Sequence, residues 1–173
     1  MFLTQEDDKD AFTKMKPVLK TKEDQEALWN AIDKGLVATI GSDHAPHTIE
    51  EKKSENFPYG VPGVETTLPL LLNAVNENRL TLQKVIELTS QNPAKIYGLN
   101  KGVIAEGYDA DLVVIDMELK KEVKNEELLT KCKWSPFNGK VLKGWPIMTI
   151  VGGNLVYTDG KINDIKAKEV IIK

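Results

Sequence analysis

Apolar positions in residues 1–98 fall into two patterns, helical spacing and short continuous runs, which together predict alternating helices and buried strands. Phe12 and Met15 flank a short segment that ends at Pro17. Thr21, with Asp24 three positions later, is close to a capping box and opens a helix. Ala27, Leu28, Ala31 and Ile32 repeat there at helical spacing, and Gly35 supplies the stop. Leu36–Gly41 follows at once as an apolar run rich in strand formers. Helix, glycine turn and continuous apolar strand in succession predict a parallel α/β arrangement with both sheet faces covered. Residues 42–63 are polar and aperiodic, which predicts a long loop leaving the C-terminal end of that strand. Loops of that length in a compact domain are usually functional.

Helical spacing resumes near Glu65. Leu68-Pro69-Leu70-Leu71-Leu72, followed by Ala74 and Val75, is apolar nearly all round and predicts burial on several sides. Pro69 fits the first turn of such a helix. Thr81 is expected to cap another, with Leu82, Val85, Ile86 and Thr89 facing inward. Asn92-Pro93 reads as an N-cap and N1 proline opening a short helix that stops at Gly98. Past residue 100 the period changes to that of strands. Asp111–Asp116 is one; Ile147–Val151 and Leu155–Thr158 form a hairpin across Gly152-Gly153-Asn154, and Asp159-Gly160 marks a further turn. Ile162, Ile165, Val170, Ile171 and Ile172 in the tail suggest a final strand.

Composition narrows the possibilities. The 173 residues are 41% apolar and 28% charged, as in an ordinary globular protein. A net charge of -3 and a pI near 5.5 give no broad basic footprint, so neither nucleic acid nor an anionic membrane is an expected partner. There is no run of 18 apolar residues, and the acidic start MFLTQEDDKD is unlike a signal peptide; a soluble, cytoplasmic protein is the expectation. Cys132 stands alone, which excludes an internal disulfide, and it reads as an inert thiol. The only histidines are His44 and His47, and the only arginine is Arg79, against 22 lysines. Any chemistry here does without a histidine cluster or arginine clamps.

The one dense constellation is Gly41-Ser42-Asp43-His44-Ala45-Pro46-His47, placed where a predicted strand meets a long loop. Open α/β sheets and barrels put their active sites at such strand ends. A carboxylate there can hold a metal or move a proton, and a histidine four residues on can bind an anion. On spacing alone a second reading stands beside this one: Asp43 caps a turn and the histidines are ordinary surface groups. Asp109 and Asp111 read as turn and strand-edge residues, and Lys120, Lys121 and Lys124 among four glutamates read as a solvated face. Trp29, Trp134 and Trp145 read as packing residues.

The residues from Val37 to Lys52, VATIGSDHAPHTIEEK, resemble the strand-8 signature of dihydroorotases in the amidohydrolase superfamily. Gly60–Leu72, Thr89–Gly98, Gly102–Asp116 and Trp134–Gly139 are similar to further segments of the same enzymes, so the resemblance spans nearly the whole chain. The second histidine of Asp-His-Ala-Pro-His favours dihydroorotases over allantoinases and hydantoinases. The implied fold is α/β: the C-terminal part of a (β/α)8 TIM-type barrel, its last strands and helices, in residues 1–98. Part of a small β-sandwich domain is implied in residues 99–173, a β-rich composite completed by other sequence. The implied activity is the interconversion of N-carbamoyl-L-aspartate and L-dihydroorotate in pyrimidine biosynthesis. Asp43 matches the catalytic aspartate, which also ligates metal, and His47 matches the loop histidine that binds the substrate α-carboxylate. Pro62 and Gly63 match the backbone segment that binds the ring.

Two departures stand out. Lys16, Val18 and Lys20 replace the usual Asn, Pro and Arg of one segment, and Gly152 replaces a common arginine. The binuclear zinc site of the family also needs an His-x-His pair, a carboxylated lysine and two further histidines, none of which can be assigned here. A full barrel needs about 200 residues or more. The expectation is therefore an incomplete chain with one metal ligand, Asp43, whose partners are an N-terminal part or other chains. The resemblance also admits a homo-oligomer or an association with aspartate transcarbamoylase. Exposed strand edges and apolar helix faces such as Leu68–Val75 would make the isolated chain self-associate. Two other functions stay open: a non-catalytic dihydroorotase-like scaffold, and another cyclic amidase of allantoinase or hydantoinase type.

Overall fold

The computed structural model describes residues 1–166, 169 and 170, so Ile171 and Ile172 of the expected tail strand lie outside the described residues. The chain divides into two compact units. One comprises Met1–Leu36, Gly41–Leu70 and Lys120–Leu142, the other Val37–Ile40, Leu71–Leu119 and Lys143–Lys173. None of the helices among the described residues is long and apolar enough to cross a membrane.

In the first unit α1 spans Lys22–Asp33. Its start is the predicted one: the Thr21 side chain accepts from the Asp24 N–H, and Asp24 closes the capping box. It ends in a Schellman motif, with the Leu36 N–H on the Ala31 carbonyl, the Gly35 N–H on the Ile32 carbonyl, and Gly35 at φ +70°. The buried face differs from the predicted one. Trp29 and Ile32 point inward, with Phe2 edge-on to Trp29 at 5.5 Å, while Leu28 is 48% exposed. The large indole sets the rotation of the helix, since it has more apolar surface to hide. Inside the predicted loop 42–63 sits a short helix, α2, Ile49–Lys53, capped by Thr48 and Glu51. The Thr-x-x-Glu spacing signals it, but five residues are too few to show a period.

Helix α3 spans Val64–Asn76. Leu70, Leu71, Leu72 and Ala74 are buried and Leu68 and Val75 half-buried, so this face is covered and the exposed apolar surface expected there is absent. Pro69 is the sixth residue of α3, beyond the first turn where it was expected. It removes the hydrogen bond to the Glu65 carbonyl, a cost tolerated because the ring is fully buried in the apolar packing.

The second unit holds the remaining helices and most of the sheet. Residues 37–40 form no strand, and Leu36 before them is 76% exposed. No parallel strand among the described residues pairs with them. The segment is tied instead by the Ile40 N–H to the Leu88 carbonyl at 3.1 Å, and by the Asn92 side chain donating to the Ala38 carbonyl at 2.9 Å. Helix α4, Leu82–Ile86, begins at Thr81 as predicted. A π turn over Glu87–Gln91 then carries it directly into α5, Asn92–Ile96. Asn92 is therefore helical and not an N-cap; the wider turn admits Pro93 without breaking the run. Val85 and Leu88 are the buried residues here, whereas Ile86 and Thr89 are exposed. Gly98, at φ +65°, ends the run as expected.

The sheet has the order β1-β2-β3-β4, with β1 Leu112–Glu122, β2 Val141–Val151, β3 Asn154–Thr158 and β4 Lys161–Ile162. The β2–β3 hairpin turns at Gly152-Gly153, with a bulge after Thr149, and β4 returns antiparallel through Asp159-Gly160. Helix α3 is stitched to this sheet by asparagines. The Asn76 side-chain amide donates to the Met117 and Lys143 carbonyls at 3.1 and 3.0 Å, and the Asn73 oxygen accepts from the Lys143 N–H at 2.9 Å. Close approach at this seam requires Gly144: at φ +100°, a Cβ there would stand 2.7 Å from the Leu72 Cβ. Lys101 bridges Asp109 and Asp111, and Asp111 also accepts the Gly152 N–H at 2.7 Å, pinning the hairpin turn.

Two predictions follow from the second unit. Gly144→Ala meets both overpacking and a left-handed backbone, and is expected to lower unfolding stability by about 1–3 kcal/mol, measured as a shift in the urea midpoint. Burial pushes the Asp111 carboxyl up, but the hydrogen bonds from Lys101 and Gly152 and the lysine charge outweigh it, leaving it below its ordinary value of 3.8. The stability it adds is complete above that value and is lost as pH falls below it. The gap in melting temperature between wild type and Asp111→Asn should be full at neutral pH and close in acid; a gap that widens in acid would contradict this.

Candidate active site

The loop carrying Asp43 and His47 lies within the first unit. Asp43 is exposed and left-handed, at φ +47°. That region costs an L-residue roughly 1–2 kcal/mol, and Asp is among the few that enter it routinely. Non-glycine residues held this way cluster at functional sites. The next residue fixes the loop in place. His44 Nδ1 accepts from the Gly63 N–H at 3.1 Å and the Val64 N–H at 3.4 Å, so the imidazole caps the first turn of α3. This leaves Nε2 to carry the ring proton.

Segments 42–47 and 60–63 run against one another. The Ala45 N–H donates to the Val61 carbonyl at 3.0 Å. A Cβ on Gly63 would stand 2.8 Å from the Ser42 carbonyl oxygen, and one on Gly60 2.5 Å from the Ala45 Cβ. Glycine is required at both positions. Asp43, His47, Pro62 and Gly63 are thus carried on two adjoining segments. Pro62 is buried, and both polar backbone groups of Gly63 are committed, the N–H to His44 and the carbonyl to the Thr67 hydroxyl at 2.8 Å. His47 is half-buried, with Nδ1 3.9 Å from the Glu51 carboxylate.

Several supporting residues escape sequence reasoning. Glu65 accepts from the Leu129 and Thr130 N–H groups at 2.9 and 3.0 Å and from the Thr130 hydroxyl. Lys52 is fully buried, and Trp134, 2% exposed, reaches the His47 carbonyl. Lys52 is the last residue of the quoted motif, but nothing in its neighbours marks it as interior. Trp134 lies 87 residues from its partner. A cleft beside His44, Pro62, Gly63, Glu65 and Trp134 has a cavity volume of only about 10 Å³. Ligand pockets begin near roughly 300 Å³, so this cleft alone is too small to hold a substrate.

Among the described residues no three His, Cys, Asp or Glu side chains converge. The Nδ1 of His44 is already taken by backbone donors, which leaves Asp43 as a single exposed carboxylate. The described residues do not by themselves fit a zinc pair.

Known proteins are similar to this chain in sequence and in fold. The sequence model of the amidohydrolase family matches residues 7–156. The dihydroorotase of Pyrococcus furiosus is 42% identical over 174 residues, covering 100% of this chain and 41% of that protein. The dihydroorotase of Bacillus cereus is 43% identical over 147 residues, covering 83% of this chain and 34% of that protein. Among solved structures, the L-hydantoinase (dihydropyrimidinase) of Arthrobacter aurescens superposes with a TM-score of 0.88 at 33% identity, covering 93% of this chain and 38% of that one. The chain therefore spans about two fifths of the length of the relatives it matches. With the family match running from before the first helix into β3, and the Asp43–His47 loop locked onto the start of α3, the chain belongs to the amidohydrolase family.

Proposed function

We propose that this chain carries the Asp43 end of a dihydroorotase site, acting on N-carbamoyl-L-aspartate and L-dihydroorotate in pyrimidine biosynthesis. The observation that carries the reading is the pairing of a left-handed, exposed Asp43 with an anion-capable His47 on one loop fixed by His44. Identity of about two in five residues to dihydroorotases over the whole chain supports it. In this reading residues 1–98 are the last part of a (β/α)8 barrel, with 36–41 as a barrel strand awaiting its neighbours. Residues 99–173 belong to a small β-sandwich domain. Asp43 takes a proton as water adds to the ring amide and returns it to the departing nitrogen. His47 binds the α-carboxylate. Because the Gly63 N–H is committed to His44, the backbone contact to the ring falls to the Pro62 carbonyl, an acceptor suited to a ring N–H. Asp43 is one donor toward the family's zinc pair. The other donors come from sequence outside these 173 residues or from other chains.

The likeness to hydantoinases favours a second reading, hydrolysis of an uncharged cyclic amide. The two differ in charge: dihydroorotate has a carboxylate for His47 to meet, and a simple hydantoin has none. A scaffold role would require neither Asp43 nor His47.

The decisive experiment is a chimera in which this chain replaces the matching part of the Pyrococcus furiosus dihydroorotase. It is expected to cyclise carbamoyl-aspartate, and Asp43→Asn, which keeps the left-handed preference, is expected to lower kcat by about 10²–10⁴-fold. A chimera that folds and opens hydantoins but not dihydroorotate would establish the second reading instead. His47→Ala should raise KM for dihydroorotate and leave KM for an uncharged cyclic amide unchanged; equal effects on both would remove His47 from anion recognition.

A further inference from the structure

Two buried residues bond the backbone at and beside His47. Trp134 Nε1–H donates to the His47 carbonyl at 2.7 Å. The indole is 2% exposed and fixed edge-on by Phe12, with ring centroids 5.0 Å apart at 88°. The buried Lys52 ammonium donates to the Pro58 and Gly60 carbonyls at 2.9 and 3.0 Å. It also stands 5.7 and 5.8 Å from the Phe57 and Trp134 ring centroids. Burial draws the ammonium below its ordinary range, against the charge of Asp10. A buried cation is costly unless its protons are met, and here carbonyl oxygens and aromatic faces meet them.

These bonds converge on the histidine. Gly60, whose carbonyl Lys52 grips, is the residue whose Cβ would lie 3.9 Å from His47 Cδ2 and Nε2. Trp134 therefore fixes the backbone of His47, and Lys52 fixes the backbone beside which its ring lies. Glu51 is likewise committed, to the Thr48 N–H at 2.7 Å, so its carboxylate is steered toward the cap of α2.

We propose that Trp134 and Lys52 are positioning residues that preset the His47 imidazole for an anionic substrate. This rests on His47 being the anion contact. A ring held in place before binding loses little conformational freedom when the anion arrives, and that saving appears in affinity.

The test uses variants that remove single groups. Trp134→Phe deletes the N–H and keeps a ring; Lys52→Met deletes the ammonium and keeps the stem. The chain has only two histidines, so its imidazole NMR spectrum contains two side chains, with His44 as the internal reference. In both variants the His47 signal is expected to shift or broaden more than the His44 signal. In the chimera, Trp134→Phe should raise KM for carbamoyl-aspartate about fivefold, the worth of one hydrogen bond, with kcat nearly unchanged. An unmoved His47 signal in both variants overturns the proposal. Equal movement of both histidines does so too, since that reports a loosened unit. The NMR arm uses no substrate, so a wild-type chimera inactive on carbamoyl-aspartate would count against the dihydroorotase reading alone.

Discussion

An imidazole at the start of a helix governs how this loop is built. Helix α3 begins with backbone N–H groups that lack intrahelical partners, and His44 Nδ1 accepts two of them. A Ser or Asp at the N-cap would satisfy those donors locally. Here the acceptor comes from 19 residues earlier, so capping the helix also closes the loop. Asp43, left-handed, immediately precedes that anchor. Gly63 follows suit, pressed so closely on Ser42 that no side chain fits. One histidine thus sets the placement of the residue with the most chemistry in the chain.

Legibility in the sequence followed the range of the forces involved. Thr21 with Asp24, Gly35, Thr81, Gly98 and the Gly152-Gly153 turn all act within a few residues, and each performs the role its neighbours imply. Pro69 and Asn92 depart from expectation for one reason. Local propensity argues for a helix boundary at each, but burial of the Pro69 ring and the widened turn before Pro93 carry the helix through. Leu36–Gly41 has the composition of a buried strand, but a strand is a property of two segments. Without a parallel neighbour among the described residues it forms no strand, and Leu36 stays exposed.

The candidate site divides along the same line. Asp43, His47, Pro62 and Gly63 were legible through the resemblance, which reports residues and not their surroundings. What holds them belongs to the fold alone: an indole N–H from 87 residues away, a lysine turned inward, and a glutamate bridging α3 to residues 129 and 130. Each is a polar group meeting backbone carbonyls or N–H groups. Such bonds leave no periodicity in the sequence, because the partner is main chain and can belong to any residue type. The charge pattern around Lys52, with glutamates before it and a lysine after, is that of a solvated helix face. Its side chain nevertheless occupies the interior.

That inward lysine gives the protein a chemical clock. Acylating reagents attack uncharged amines that they can reach, and of the lysines described only Lys52 is wholly hidden. Its amine becomes available when the Pro58 and Gly60 carbonyls let go, that is, when the loop opens. The pace at which Lys52 is labelled, set against the prompt labelling of exposed lysines, therefore counts loop openings directly. A bound anion that steadies His47 would slow that clock without touching the amine.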